Sequence, residues 1–424
     1  MQGFLRTTIG LGLGLLVLAL AAPRAWAGGM WVYEVAAPDV GTASAGRAAL
    51  ANDASTAFGN PAGMTRTGTQ LLFGLSPMIV TTEFDTGTGT TVAGSSGGDA
   101  GGFVPVGGVY GVYSPMKDLA IGMAFNSYAG GALNYESNWV GRYITTETEL
   151  LTFNLNPTIA YRVLPWLSLG AGFSAQWAKL KDELAINNAL EGLPDGFMKF
   201  EDSNFGFGGN VGALFEIDAL TRIGISYRSQ VDQDFDDVPS FGQLGPGLED
   251  ALRRAGVLNS TLGLDVTIPQ EVVLSAYRDL TDDLAVMASF NWQNWAQFGD
   301  INVSLSTTPP RAKAVDAELD DTFQGAVGLH YRLGEPTLLR LGFAYDSSAA
   351  TRATRSPALP VDQQLRFAAG LQYDINEQYS VTAAYEYAAL GSAPVNVQRP
   401  SGTVEGDYQT NSLNVFNFTV ARRF

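Results

Sequence analysis

The chain has one histidine and no cysteine, so its chemistry must come from carboxylates, hydroxyls and guanidinium groups. His330 stands in Gly328-Leu329-His330-Tyr331-Arg332-Leu333. Beside a serine and a carboxylate it would make a hydrolytic triad, but an isolated histidine on a polar face also serves as a hydrogen-bonding wall residue, and no catalytic residue is assigned. A His/Cys metal centre needs several such ligands and is excluded. The run Asp232-Gln233-Asp234-Phe235-Asp236-Asp237 offers hard oxygen ligands suited to calcium. It lacks the spacing of a dedicated loop and reads as a solvated strand end, so no metal ligand is assigned. That leaves Arg222, Arg228, Arg340 and Arg366, whose guanidinium groups suit a carboxylate ligand through charge-assisted hydrogen bonds.

What positions these arginines is a period of two. In Leu167, Leu169, Ala171, Phe173, Ala175 and Trp177 the apolar residues share one face, while Ser168, Gly170, Gly172, Ser174 and Gln176 share the other. The same alternation places Arg222, Arg228, Arg340, Arg366 and His330 on polar faces. Fourteen strands are predicted, near 69–82, 103–114, 119–129, 150–163, 166–180, 204–217, 221–235, 266–279, 284–305, 322–333, 337–346, 365–373, 379–387 and 412–424. Short links such as Leu164-Pro165 and Asp218-Ala219-Leu220 alternate with long ones such as 83–102, 181–203 and 236–265. A sandwich has no reason to sort its loops by length, whereas an outer-membrane barrel has tight turns at one end and long loops at the other. The fold class is therefore all-β: a transmembrane antiparallel β-barrel of about fourteen strands, over 69–424.

The start of the chain agrees. Arg6, the apolar Ile9 to Ala22 and Ala25-Trp26-Ala27 read as a signal peptide over 1–27, and the absence of a cysteine after it excludes a lipoprotein anchor. No later stretch holds eighteen apolar residues, so any spanning elements must be strands closed on themselves. With Lys+Arg 25 against Asp+Glu 42 the net charge is −17, which argues against nucleic acid as a partner. The final Phe416, Phe418, Val420 and Phe424 share an apolar face that Arg422 interrupts. Near the membrane interface that interruption costs only about 0–1 kcal/mol.

Residues 28–68 do not alternate. Gly41 to Ala51 is rich in small residues and suits a tight helix, and Asn60-Pro61-Ala62-Gly63 marks turns. Small, weakly charged residues fit a hatch threaded into the lumen better than a solvated tail.

Gly41 to Arg47, Asp53-Ala54-Ser55-Thr56-Ala57-Phe58 and Asn60-Pro61-Ala62-Gly63-Met64 resemble the FadL-type family of long-chain fatty-acid and hydrophobic-compound outer-membrane transporters. Asn156 to Arg162, Leu167 to Phe173, Asn204 to Gly208, Arg222 to Ser229 and Phe343 to Asp346 continue the resemblance in order. It implies a monomeric fourteen-stranded barrel in the bacterial outer membrane, with a hatch in the lumen and no cofactor. It also implies capture of a hydrophobic small molecule by extracellular loops and lateral release into outer-membrane lipid through a kinked third strand. Tyr128-Ala129-Gly130-Gly131 is the place for that kink, because glycine weakens a strand and marks a bend. The strand could also simply end there. Valine at Gly130 and Gly131 is expected to regularise the pairing and close the wall.

In the loops, Phe197 and Met198, and Leu248 and Leu252 of a short helix predicted within 241–257, form either a capture groove or loop-on-loop packing. The extension Lys179-Leu180-Lys181-Asp182-Glu183-Leu184 carries no arginine. A fatty acid and an uncharged aromatic hydrocarbon therefore both stay open as ligands. A polar-solute porin would need neither a small-residue plug nor apolar loops, an adhesin would need only the loops, and an outer-membrane hydrolase would need a positioned nucleophile beside His330.

Overall fold

The computed structural model describes residues 31–424. The expected signal peptide and residues 28–30 of the expected hatch lie outside the described residues. Fourteen antiparallel strands close into a barrel. The first seven are β1 (Gln70–Thr86), β2 (Gly102–Met116), β3 (Leu119–Asn126, resuming as Gly131–Asn134), β4 (Glu147–Leu164), β5 (Leu167–Ile186), β6 (Gly196–Glu216) and β7 (Thr221–Arg228). The second seven are β8 (Glu271–Asp279), β9 (Leu284–Gln293), β10 (Thr322–Arg332), β11 (Thr337–Asp346), β12 (Gln364–Asp374), β13 (Tyr379–Ala389) and β14 (Gly402–Arg423). Pairing of β1 with β14, from Gln70↔Arg423 to Thr86↔Gly406, closes the ring and removes the sheet's outer edges.

The predicted alternation holds with its apolar face outward. Phe73, Phe125, Phe173, Phe207, Phe343 and Phe418 are exposed, while Ser76, Ser168, Ser174, Gln176 and Asn417 are buried. Such a belt fits a hydrocarbon surround with the polar face turned to the lumen. Arg422, on the outer face, lies 4.3 Å from the Phe424 ring centroid and 5.5 Å from that of Tyr379, so its cation is held between aromatic faces at the periplasmic rim.

Three predicted strands run too far. The segments 221–235, 266–279 and 284–305 each leave the wall, and Val231–Asp237, Leu262–Ile268, Asp300–Leu305 and Arg311–Asp316 form a separate four-stranded sheet. Alternation continues across the breaks, so periodicity does not register the change of direction. Pro269 is the local signal, since it supplies no ladder N–H. Asp232, Asp234 and Asp236 sit on the exposed face of this sheet. Among the described residues no group of three or more acidic or histidine side chains is arranged to hold a metal ion.

Trp31 to Met64 fill the barrel and are almost entirely buried. The tight helix expected over Gly41 to Ala51 is not formed. A 3-10 turn runs over Pro38–Thr42, and then Ala43 (φ 49°) and Ser44 (φ 63°) take the left-handed conformation, which a right-handed helix cannot contain. The wall makes room for this chain with glycine. A methyl group on Gly224 would lie 1.8 Å from the Ala48 carbonyl oxygen, and one on Gly342 2.0 Å from the Thr42 carbonyl carbon. Backbone meets backbone there because neither glycine has a Cβ.

Candidate functional site

On the extracellular side of the hatch lies a cavity of about 110 Å³. Its lining is mostly aliphatic: Met78 and Val80 from β1, Val104 from β2, Leu133 from β3, and Leu359 and Val361 from the loop before β12. The hatch contributes Trp31, Val32 and Glu34, and β12 contributes Gln364 and Arg366. Gly130 and Gly131 form part of its wall. A concave, mostly apolar lining with few polar groups is the usual form of a small-molecule site.

The wall is broken beside the cavity. Pairing of β2 with β3 stops at Gly108↔Asn126, whereas β2 runs on to Gly102 paired with β1 alone. Pro105 sits in that stretch opposite Pro77 of β1. A hydrogen-bonded pair needs an N–H from both residues, so these two occupy a non-hydrogen-bonded pair, and the N–H that Pro105 lacks would have pointed into the gap. On the other side of β3, Asn126 pairs with Asn154 and Gly131 with Leu150. Four residues, Ser127 to Gly130, thus face three, Leu151 to Phe153, which is a bulge. Gly130 has φ +153°, and a methyl group on it would lie 2.7 Å from the Leu150 carbonyl oxygen. Valine at Gly130 would therefore strain the bend instead of regularising it, contrary to the sequence expectation, while Gly131 has open space.

The hatch caps this break. Trp31 forms an isolated antiparallel bridge with Ala129, and the Val32 N–H donates to the Tyr128 carbonyl at 2.8 Å. The Tyr128 ring turns inward against Trp31 at 5.2 Å and Phe58 at 5.5 Å between centroids, with its hydroxyl donating to Gln176. Tyr128, Ala129, Gly130 and Gly131 thus meet the hatch and the cavity at one place.

The four arginines all face the lumen, but three have other tasks than the expected headgroup contact. Arg222 donates to the carbonyls of Ala49 (3.1 Å) and Leu50 (3.2 Å). Arg228 donates to the Phe58 carbonyl at 2.8 Å and lies 3.9 Å above that ring. Arg340 meets His330 at 3.0 Å and donates to Gln372 below the hatch. Asn60 joins the clamp, its amide donating to the carbonyls of Ala48 (2.7 Å) and Ala213 (3.0 Å), while Pro61, Ala62 and Gly63 form a buried 3-10 turn. Each arginine bond contributes about 1.5–3 kcal/mol and each neutral amide bond about 0.5–1.5 kcal/mol. Arg366 is the one of the four that lines the cavity.

The loop candidates are not brought to the cavity. Met198 is buried with Leu184 and Ile186, and Leu248 packs on them, whereas Leu252 belongs to the larger core. Phe197 covers Gly242, where a methyl group would meet its ring at 2.3 Å. Glu191 accepts from the N–H groups of Gly247 (3.1 Å) and Leu248 (2.8 Å), tying its loop to the start of the helix Pro246–Arg254. The loop tip at Leu190 is 95% exposed. Sequence reasoning missed Trp31, Val32, Glu34 and the loop residues Leu359 and Val361. Pro105 was a usable signal of the gap, because a proline within a strand demotes that edge.

Comparison with known proteins agrees with this geometry. A family model described as "Outer membrane protein transport protein (OMPP1/FadL/TodX)" matches residues 18–424. Outer membrane protein P1 of Haemophilus influenzae is 30% identical over 418 residues, covering 87% of this chain and 88% of that protein. A long-chain fatty acid transport protein of Escherichia coli O6:H1 is 27% identical, covering 87% and 89%. Among solved structures, a Pseudomonas aeruginosa FadL homologue superposes with TM-score 0.84 at 20% identity, over 93% of this chain and 99% of that one. The Ralstonia pickettii toluene transporter TbuX does so with TM-score 0.65 at 18% identity, over 93% and 100%. The fourteen-stranded barrel with its lipid-facing belt and the family match over nearly the whole chain agree: the chain is a bacterial outer-membrane transport protein and belongs to the OMPP1/FadL/TodX family.

Proposed function

We propose that the chain carries hydrophobic small molecules passively across the outer membrane, with long-chain fatty acids as the first candidate class. Exposed apolar loop tips such as Leu190 take up the ligand. The cavity between hatch and loops holds it, and it leaves sideways into lipid through the break between β2 and β3. The observation that carries this reading is the adjacency of an apolar cavity of about 110 Å³ to a wall bulge at Gly130. A second reading, uncharged aromatic hydrocarbons by the same route, is favoured by the carboxylates that surround Arg366, the cation lining the cavity. Relatives and structural neighbours named for fatty acid and for toluene transport support both classes.

Ala358, a buried cavity residue, provides the test. Ala358→Trp fills the space, and uptake of labelled oleate and toluene by whole cells should fall while the folded barrel stays in the outer membrane. Wild-type uptake of both by the folded variant would refute the cavity as the route.

A further inference from the structure

Among the described residues, two charged side chains line the cavity, Glu34 of the hatch and Arg366 of β12. Arg366 is already surrounded. Its Nη1 donates to Glu34 and, at 3.0 Å, to Glu386, and its Nε donates to Asp346 at 3.2 Å. Its Nη2 donates to Gln364 at 2.6 Å. Arg366, Glu34, Glu386 and Asp346 are all at least 96% buried. Three carboxylates thus face one guanidinium and take up its Nε and Nη1 protons before a ligand arrives. A ligand carboxylate brought here would add a further anion where little water screens it, and like charges at such range disfavour ionisation. The remaining polar lining, such as Thr82, Thr148 and Asn411, is neutral.

We infer that this cavity accepts hydrophobic ligands in uncharged form and discriminates against a carboxylate, with Glu34, Asp346 and Glu386 as the specificity-determining residues. This rests on the proposed uptake of hydrophobic compounds and, of its two ligand classes, favours the uncharged one. A hydrocarbon, alcohol or ester enters freely, and an acid enters as its protonated form. Glu34 comes from the hatch, so the discrimination is complete only while the hatch is seated.

The test compares radiolabelled methyl laurate with laurate on the purified full-length protein in detergent, corrected for partition into protein-free micelles. At about pH 8 the free acid is ionised, since carboxyl groups titrate near 4 to 5. The wild type should bind the ester at least about tenfold more tightly than the acid, a difference of roughly one pKa unit in energy. Glu34→Gln/Glu386→Gln should narrow that ratio severalfold, and Glu34→Gln alone should narrow it partway. The single variant and the wild-type ratio decide the matter even where the double variant does not fold. Equal binding of ester and acid by the wild type, or a ratio unmoved in a folded Gln variant, would overturn the charge discrimination alone. Binding of neither ligand would overturn the uptake reading beneath it.

Discussion

Two cavities lie on opposite sides of the hatch, and they differ in kind. The extracellular one is lined chiefly by aliphatic side chains and touches the bulge in β3. The periplasmic one, of about 330 Å³, is lined by Asp53, Asp279, Asp283, His330, Arg340 and Asp374 among others. An apolar ligand passing from the first to the second would lose about 0.8 kcal/mol for each CH₂ exposed to water. Leaving sideways keeps that surface covered by lipid. The hatch is fastened at both ends of this contrast: Arg222, Arg228 and Asn60 clamp its middle by hydrogen bonds, while its first residues are held by the Trp31–Ala129 bridge at the break, the Tyr128 ring and the buried Glu34–Arg366 ion pair. The middle of the hatch separates the cavities, and its first residues adjoin the way out.

The largest expected effect comes from joining the two cavities. Gly224→Val places methyl groups where the Ala48 carbonyl now sits, a clash well beyond the ordinary overpacking cost of about 1–3 kcal/mol. The hatch should unseat, and planar-bilayer recordings should show a raised conductance for small ions; an unchanged conductance would mean that the hatch does not divide the lumen.

The exit is the next target. Gly130→Val forces a branched residue into φ +153° against the Leu150 carbonyl. Strain of about 1–3 kcal/mol at the bend should lower whole-cell uptake roughly tenfold. Gly131→Val, with open space around it, should stay within about twofold of wild type. If the two variants behave alike, the special geometry of Gly130 has no part in release.

Smaller still is the effect of polarity within the upper cavity. Leu359→Ser introduces a hydroxyl without an evident partner, which costs about 1–3 kcal/mol, and ligand binding should weaken without a change in conductance. His330→Ala in the lower cavity removes one contact with Arg340, worth about 1.5–3 kcal/mol of stability, and should leave uptake unaltered. A loss of uptake on that substitution would return His330 to the transport chemistry.

Much of this architecture was legible in the sequence. Strict alternation in stretches such as Leu167 to Trp177, together with the sorting of tight turns from long loops, gave the strand count and the lumen placement of all four arginines. Asn60-Pro61-Ala62-Gly63 announced the turn that anchors the hatch. What period two does not encode is direction, so the departure of Val231–Asp237, Leu262–Ile268 and Asp300–Leu305 into a second sheet went unseen. Nor does a residue's face reveal its partner. Arg222 and Arg366 look alike in the pattern, yet one holds the backbone of residues 49 and 50 and the other holds three carboxylates. Those partners lie far away in sequence, and only closure of the barrel around the hatch brings them together.

The central claim is that ligand leaves where Trp31 meets Ala129. These residues are bridge partners on adjacent antiparallel segments, a separation compatible with a disulfide. In a chain without other cysteines, Trp31→Cys/Ala129→Cys can be oxidised selectively in intact cells. With the bond formed, uptake of labelled oleate or toluene should fall sharply while the purified protein still binds ligand, and reduction should restore uptake. Uptake at the reduced rate with the disulfide fully formed would contradict lateral release at this strand.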